Sequence, residues 1–285
     1  MNILITGCNG QLGSELRLME PSFGHHTFFN TDVGELDITD QAAVDDFVAA
    51  HQIDGIVNCA AFTAVDLSES EREKCTTLNT IAPAYLAAAI DKREGWMIQI
   101  STDYVFNGKS HRPYVEDDTP SPDSVYGSTK LAAELGVTKF CRRAMVIRTA
   151  WLYSSFGKNF VKTMLRLGQE KSSLGVVFDQ VGTPTYARDL ASAIMTIIEQ
   201  GVQPGIFHYT NEGVTSWYDF TKAIHRIAGI TTCDVRPLHT SEYPTAATRP
   251  LYSILDKTKI KQAYGLEIPH WEESLRQCLS ILLQQ

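Results

Sequence analysis

Ile3-Leu4-Ile5-Thr6-Gly7-Cys8-Asn9-Gly10-Gln11-Leu12-Gly13 is an apolar run followed by three glycines at three-residue spacing. The run predicts a buried strand, and the glycines predict a tight turn that leads into a helix. Such a turn lets a pyrophosphate approach the backbone at the positive end of the helix dipole. The spacing is Gly-x-x-Gly-x-x-Gly, which differs from the Gly-x-Gly-x-x-Gly of the usual dinucleotide-binding turn. We therefore predict a dinucleotide site, with a turn that serves only packing as the alternative.

The chain continues with alternating strand and helix patterns. Short apolar runs predict strands at 2–6, 26–30, 55–59, 97–101 and 145–149, and amphipathic segments predict helices at 11–19, 41–51, 71–92 and 124–140. This alternation predicts an α/β fold, a Rossmann-type doubly wound parallel sheet over residues 1–150. The later pattern is less regular, with helices predicted at 159–167, 187–199, 216–228 and 271–283 and strands at 175–178 and 205–209. Residues 151–285 are expected to form a smaller mixed α/β substrate lobe, with some segments returning to the core.

Composition excludes several function classes. The 285 residues carry a net charge of −8, which argues against a protein that binds the phosphate backbone of nucleic acids. The six cysteines are scattered without a Cys-x-x-Cys pair, so we expect reduced thiols rather than disulfides or zinc ligands. No apolar run approaches the roughly 20 residues of a membrane helix, and the first strand leaves no room for a signal peptide. The expectation is a cytoplasmic protein without a membrane partner.

A second pattern points to carbonyl chemistry. Tyr126 and Lys130 are four residues apart on a predicted helix and share one face. A nearby ammonium favours a phenolate, so Lys130 is predicted to lower the pKa of Tyr126 from about 10 toward neutral. Ser101 and Thr102 end an apolar run and could hold a substrate oxygen beside the phenol. This combination predicts reduction or oxidation of a carbonyl.

Acidic residues follow the second predicted strand. Asp32 lies where a carboxylate would bind the ribose 2′-hydroxyl and repel a 2′-phosphate, which favours NADH without excluding NADPH. Asp37 has two interpretations, an adenine contact or, together with Asp40, the cap of the next helix.

The chain resembles the extended short-chain dehydrogenase/reductases and, within them, the dTDP-4-dehydrorhamnose reductase family. The likeness runs nearly end to end, through residues 7–13, 58–66, 101–106, 126–130, 148–153, 159–165, 179–185, 215–218 and 243–250. The early motifs are shared by the whole superfamily. The more specific ones are Arg148-Thr149-Ala150-Trp151 and Tyr243-Pro244-Thr245-Ala246-Ala247-Thr248-Arg249-Pro250.

The resemblance implies NADH- or NADPH-dependent reduction of the C4 ketone of dTDP-4-dehydro-β-L-rhamnose. It implies that the catalytic residues are Thr102, Tyr126 and Lys130. The residues expected at the cofactor are Gly7, Asn9, Gly10, Gln11, Leu12, Asp32, Asp37, Ile38, Ala60, Ala61, Thr63, Asn79, Tyr126 and Lys130. The residues expected at the dTDP-sugar are Val65, Ser101, Thr102, Asp103, Tyr104, Trp151 and Arg249.

The resemblance also leaves points open. Some members hold Mg2+ at a dimer interface through a glutamate where Glu15 stands, but the later carboxylate position reads Arg188-Asp189. Mg2+ is therefore doubtful, no metal ligand is assigned, Glu15 is expected to be solvated, and a homodimer stays open. Two other functions are alternatives: a nucleotide-sugar epimerase, or an NADP-binding regulatory subunit like the beta subunit of methionine adenosyltransferase. The complete set of Thr102, Tyr126 and Lys130 argues against the second.

Overall fold

The structure is a computed structural model that describes residues 1–284. Its strands are β1 (Asn2–Thr6), β2 (Thr27–Thr31), β3 (Gly55–Asn58), β4 (Trp96–Thr102), β5 (Ala144–Thr149), β6 (Leu152–Tyr153), β7 (Ser173–Val177), β8 (Val181–Gly182), β9 (Thr185–Tyr186), β10 (Gly205–His208), β11 (Thr215–Ser216) and β12 (Asp234–Leu238). Its α-helices are α1 (Gln11–Met19), α2 (Gln41–Ala50), α3 (Val65–Ser68), α4 (Arg72–Thr76), α5 (Ala82–Asp91), α6 (Val125–Phe140), α7 (Phe160–Glu170), α8 (Ala187–Gln200), α9 (Trp217–Ala228), α10 (Thr258–Tyr264) and α11 (Trp271–Leu282). Short 3-10 turns lie at Glu20–Phe23, Asp103–Val105 and Thr240–Glu242.

A six-stranded parallel sheet forms the centre of the molecule. Its order is β10-β5-β4-β3-β1-β2, so the direction of winding reverses beside β1. Ligands of open parallel sheets bind outside the carboxyl ends of the strands at such a reversal. The predicted α/β fold is confirmed, and the strand ends meet at the edge where the cofactor and catalytic motifs lie.

Both faces of the sheet are covered by helices. Along β1, Ile3 and Ile5 join an apolar cluster with helices α1 and α8, whereas Leu4 joins the opposite cluster with α2, α5 and α6. These side chains are at most 1% exposed. Because alternate residues of a strand point to opposite faces, an uninterrupted apolar run is what a doubly covered strand requires.

One predicted helix, 71–92, is interrupted. Helix α4 ends at Thr76, a π-helical turn spans Thr77–Ile81, and α5 begins at Ala82. Pro83 explains the interruption, because it lacks an N–H and its ring crowds the carbonyl four residues earlier, at Asn79. The turn places the side chain of Asn79 in the interior, where it is 1% exposed.

Later residues build a third cluster and also extend the central sheet. Tyr153, Val161, Tyr186, Phe220 and Leu275 form a core among α7, α9 and α11. Strand β10 pairs with β5, and α8 packs against α1. Strand β12 and helix α10 were not predicted, and β12 contains a proline that sequence patterns treat as a strand breaker. The domain boundary at residue 150 stays a prediction.

The six cysteines are all free, as expected. Within residues 1–284, no helix is both long enough and apolar enough to cross a membrane.

Candidate active site

The glycine turn has the shape that a bound diphosphate needs. Gly7 adopts φ of +65°, and a Cβ atom there would lie 2.7 Å from the backbone nitrogen of Ala60. A Cβ atom on Gly13 would lie 2.5 Å from the carbonyl oxygen of Gly7. Helix α1 has Gly10 as its N-cap, with no capping side chain within the described residues. Its first N–H groups are therefore available to an anion, and the turn fits a dinucleotide.

Two connected clefts open at the carboxyl edge of the sheet. One, about 690 Å³, is lined by Asp32, Asp37 and Ile38. The other, about 510 Å³, contains Tyr126 and the other predicted catalytic residues. Residues of the glycine turn and of the segment after β3 line both, so the two form one groove. Its lining includes Gly7, Gly10, Gln11, Leu12, Ala60, Ala61, Thr63, Val65, Ser101, Thr102, Asp103, Tyr104, Lys130, Trp151 and Arg249.

The end of the groove beside β2 carries two neighbouring carboxylates. Asp32 follows β2 directly and accepts hydrogen bonds from the backbone of Asn9 at 3.3 Å and Val33 at 2.8 Å. The Glu35 carboxylate accepts from the Asp32 N–H at 2.9 Å, which brings a second acidic side chain to the turn. Two basic side chains are also present: Arg17 donates to the Asn9 side chain at 3.2 Å, and Lys74 lines the same cleft. The carboxylate of Asp32 suits a ribose hydroxyl better than a phosphate, and the Lys74 ammonium partly offsets that preference.

The structure shows which of the two aspartates caps helix α2. Asp40 is the N-cap of α2 and accepts from the N–H groups of Ala42 and Ala43. Asp37 instead accepts from the backbone and the hydroxyl of Thr39 and lines the cleft beside β2. Capping of α2 is therefore the role of Asp40.

Tyr126 and Lys130 project from α6 toward the end of β4. The Lys130 ammonium donates to the carbonyl oxygen of Ile100 at 2.6 Å, and burial lowers the pKa of Lys130 to about 8. Burial raises the pKa of the Tyr126 phenol above its ordinary value, and the adjacent Thr102 hydroxyl only partly opposes this. The prediction that Lys130 brings the pKa of Tyr126 toward neutral is wrong for this structure, because desolvation is the larger effect.

Thr102 ends β4 at the same point of the groove. Its hydroxyl donates to Oδ1 of Asp103 at 2.9 Å and accepts from the N–H of Tyr104 at 3.2 Å. Burial raises the pKa of Asp103 to about 6, and the Thr102 hydrogen bond opposes this. The Thr102 hydroxyl is thus held in one orientation by its neighbours.

Ser101 has a different environment from the one predicted. Its hydroxyl donates to Glu134 at 2.5 Å, although the residue borders the groove. Glu134 also accepts two hydrogen bonds from Arg148, at 2.9 and 2.7 Å, and both side chains of this ion pair are at most 2% exposed. The Arg148 guanidinium also stacks over Phe106 and contacts His208. The hydroxyl of Ser101 is therefore engaged with the interior.

Trp151 lines the groove and is held by a second indole. Its ring stacks on that of Trp217 with centroids 3.5 Å apart and planes 11° apart. Its backbone adopts φ of +48°, in the left-handed region that residues other than glycine rarely occupy. Gly182 lies against the ring, since a Cβ atom there would be 2.7 Å from the indole. Packing against Trp217 and Gly182 holds Trp151 in this strained conformation.

Arg249 reaches the groove from the last quarter of the chain. Its guanidinium donates to Asp66 at 2.6 Å and to the hydroxyl of Tyr104 at 2.9 Å. Asp66 also accepts from the N–H of Ala247, which fixes the segment that carries the arginine. Asp66 belongs to the 58–66 motif, but the sequence alone does not predict it as a site residue.

Two predicted cofactor residues, Asn9 and Asn79, line neither cleft. The Asn79 side chain accepts from the N–H of Phe62 at 2.7 Å and donates to its carbonyl at 3.1 Å. Asn79 therefore positions the 60–63 segment from behind, and its direct contact with the cofactor stays a prediction. The Asn9 side chain accepts from Arg17 and lies on the exposed side of the turn.

Glu15 was expected to be solvated, and that expectation is wrong. It is 1% exposed, and Ser154 donates to its carboxylate at 2.5 Å. Burial raises the pKa of Glu15, and the Ser154 hydrogen bond opposes this. Asn159 donates to the Gln11 side chain at 2.9 Å, so the segment after β6 lies over the glycine turn. These partners are more than 130 residues apart in sequence, and no local pattern signals them.

Known proteins share this arrangement along the whole chain. The family described as "RmlD substrate binding domain" matches residues 1–284. A dTDP-4-dehydrorhamnose reductase from Aggregatibacter actinomycetemcomitans is 38% identical, over 96% of this chain and 97% of the relative. The chain belongs to the dTDP-4-dehydrorhamnose reductase family.

Solved structures agree with this family membership. A dTDP-4-dehydrorhamnose reductase structure from Clostridium acetobutylicum is 42% identical and matches with a TM-score of 0.95 over 100% of both chains. The structure of the Bacillus anthracis reductase, in complex with NADP, is 37% identical and matches with a TM-score of 0.94 over 98% of this chain and 99% of that one.

Proposed function

We propose that the chain reduces the C4 ketone of dTDP-4-dehydro-β-L-rhamnose to give dTDP-L-rhamnose, with NADH or NADPH as the reductant. The observation that carries the proposal is that Thr102, Tyr126 and Lys130 line the same groove as the glycine turn. Trp151 and Arg249 border that groove, where a nucleotide-linked sugar would lie. Family membership supports the substrate, since relatives with this name align over nearly their full length.

The cofactor would lie along the groove from Asp32 to Lys130. The N–H groups at the start of α1 would hold its diphosphate, and Asp32 would accept from the adenosine ribose. A bound reduced nicotinamide supplies the hydride. The acidic adenosine end favours NADH, and the NADP found with the B. anthracis relative keeps NADPH open.

Tyr126 is proposed as the general acid that donates a proton to the carbonyl oxygen as it becomes an alkoxide. Burial raises the pKa of its phenol, so the group is protonated at neutral pH, the state that donation requires. Lys130 would hold the nicotinamide ribose and supply a positive charge beside the phenol. The Thr102 hydroxyl would orient the substrate oxygen by turning its proton from Asp103, to which it donates in this structure, toward that oxygen.

Substrate contacts are assigned to the far end of the groove. Trp151 would pack on the sugar, with Val65 and Tyr104 at its border. Arg249 would pair with the diphosphate, for which its forked guanidinium is suited. That pairing must compete with Asp66, which accepts from the guanidinium at 2.6 Å. A cytoplasmic location and a homodimer stay predictions.

The test is Tyr126→Phe, assayed by the loss of reduced-nicotinamide absorbance with dTDP-4-dehydrorhamnose. We expect a loss of about 100-fold or more in turnover, the usual value of a positioned general acid. Tyr153→Phe is the matched control, since Tyr153 is also buried and its hydroxyl has no hydrogen-bond partner in residues 1–284. Turnover of Tyr126→Phe within a few fold of the wild type contradicts the mechanism.

The same assay separates the alternatives. An epimerase would consume no external reductant, whereas the proposed reductase oxidises one NADH or NADPH for each sugar. A regulatory subunit would show no turnover and would co-purify with an enzyme in fixed ratio.

A further inference from the structure

We propose that His25, His26 and Glu199 form a binding site for a divalent transition metal of the zinc type. These residues lie outside the groove and take no part in the proposed reduction. Each offers one ligand atom, and the three atoms lie within 4.8 Å of one another. In residues 1–284 this is the only group of three or more histidine, cysteine or acidic side chains that meets this spacing.

The distances fit a zinc coordination polyhedron. Nε2 of His25 lies 2.9 and 3.1 Å from the two carboxylate oxygens of Glu199, and Nε2 of His26 lies 2.7 Å from Oε1. Zinc bonds of about 2.0–2.1 Å to nitrogen and oxygen give tetrahedral edges of about 3.3 Å. Each nitrogen therefore needs to move only about 0.2–0.6 Å from the carboxylate oxygens to admit an ion, and the two nitrogens lie within 4.8 Å of each other. Two imidazoles and a carboxylate are a donor set that zinc uses in proteins, with a fourth position left for water.

The fold holds these ligands in place. The His26 side chain is 6% exposed and packs edge-on against Phe28, with ring centroids 6.0 Å apart. Glu199 lies in the last turn of α8, a helix that packs against α1. Little conformational entropy would be lost on binding, because these two side chains already occupy the required positions. His25 is 58% exposed and Glu199 36%, so an ion can enter from solvent.

The position of the cluster predicts its effect. His26 precedes β2 at the amino-terminal edge of the sheet, whereas the groove lies at the carboxyl edge. A metal here would tie the segment before β2 to α8, two parts of the chain separated by more than 170 residues. We therefore assign it a structural effect: the ion raises the stability of the folded chain and leaves turnover unchanged.

The experiment uses the untagged full-length chain, freed of metal by chelation. Titration calorimetry with Zn2+ should show one ion per chain, and Co2+ should give the visible absorption of a low-coordinate nitrogen and oxygen site. Glu199→Gln and His26→Asn should each weaken Zn2+ affinity by about 100-fold or more, since even outer-shell partners of a ligand are worth about 10–100-fold. Zn2+ should raise the thermal midpoint of the wild type and not that of either variant.

The matched control is His239→Asn. His239 pairs with Asp179 at 3.5 Å and is 63% exposed, so it resembles His25 but lacks the second imidazole. This variant should keep the full Zn2+ affinity. Reductase turnover equal to that of the wild type in metal-free buffer verifies that each variant is folded. Stoichiometric binding that survives Glu199→Gln, equal losses in His239→Asn, or the absence of a one-to-one titration would each overturn the proposal.

Discussion

Glu134→Gln tests how strongly the interior beside the catalytic residues depends on one ion pair. The Glu134 carboxylate and the Arg148 guanidinium are 2% and 1% exposed and meet at 2.7 Å. The variant leaves the Arg148 guanidinium charged and buried. None of the other hydrogen bonds of Arg148 is to an acidic side chain. His208, the other contact, cannot replace the lost negative charge, because an imidazole is either neutral or positively charged. Burial and then Arg148 lower its pKa to about 3, so it is neutral here. Removal of one member of a buried pair costs about 3–5 kcal/mol.

That cost is large beside the total stability of a folded chain, roughly 5–15 kcal/mol. Urea unfolding at neutral pH, followed by circular dichroism, measures it. The control is Glu170→Gln, because Arg166 and Glu170 also meet at 2.7 Å but are 59% and 50% exposed. Its loss should stay below about 0.5 kcal/mol. If the two variants lose the same free energy of unfolding, the argument from burial is refuted.

The same substitution should change the pH profile of turnover. Burial lowers the pKa of Lys130 to about 8, and the negative charge of Glu134 keeps that pKa from falling further. A lysine is charged below its pKa, so turnover that depends on the ammonium declines as the pH rises through that value. In Glu134→Gln the pKa of Lys130 falls further, and the alkaline limb should move to lower pH. Glu170→Gln should leave the alkaline limb in place. An unmoved limb in both variants would show that the charge of Glu134 does not affect the pKa of Lys130.

Two more predictions concern the cofactor half of the groove. Asp32→Ala removes the carboxylate beside the ribose position, and it should raise the ratio of kcat/KM for NADPH over NADH by about tenfold, equivalent to 1.4 kcal/mol of removed repulsion. An unchanged ratio would mean that Asp32 does not face the 2′ position. Gly13→Ala should weaken NADH binding in a fluorescence titration, because the new Cβ atom would lie 2.5 Å from the Gly7 carbonyl oxygen. Gly24→Ala, which meets no atom within 4 Å, is the control, and equal affinities in the two variants would contradict the steric argument.

Local patterns were sufficient for much of the fold. The strand at Asn2–Thr6 and the helix at Gln11–Met19 have the predicted bounds, and the other strands of the first half differ by a residue or two at their ends. Strands buried on both faces need continuous apolar runs, so the sequence shows them directly. The helix predicted at 71–92 was wrong in one respect, since the effect of Pro83 spreads into a π-helical turn before it.

The residues of the groove were predictable where chemistry and chain spacing coincide. Tyr126 and Lys130 share a helix face whatever surrounds them, and parallel strands bring Thr102 and the glycine turn to one edge. The electrostatics of these groups were not predictable. Desolvation exceeds the effect of the neighbouring charge at Tyr126, and desolvation depends on everything packed around the phenol.

Spacing and apolar patterning are properties of a few consecutive residues, which is why the fold class, the cofactor turn and the reaction type follow from them. The burial of Glu15 under Ser154, the pairing of Arg249 with Asp66 and the engagement of Ser101 by Glu134 depend on partners from 33 to 183 residues away. Those contacts form only when the tertiary structure has formed, because their strength comes from the exclusion of water around both partners. They set which polar groups of the groove are already engaged and which remain available to a ligand.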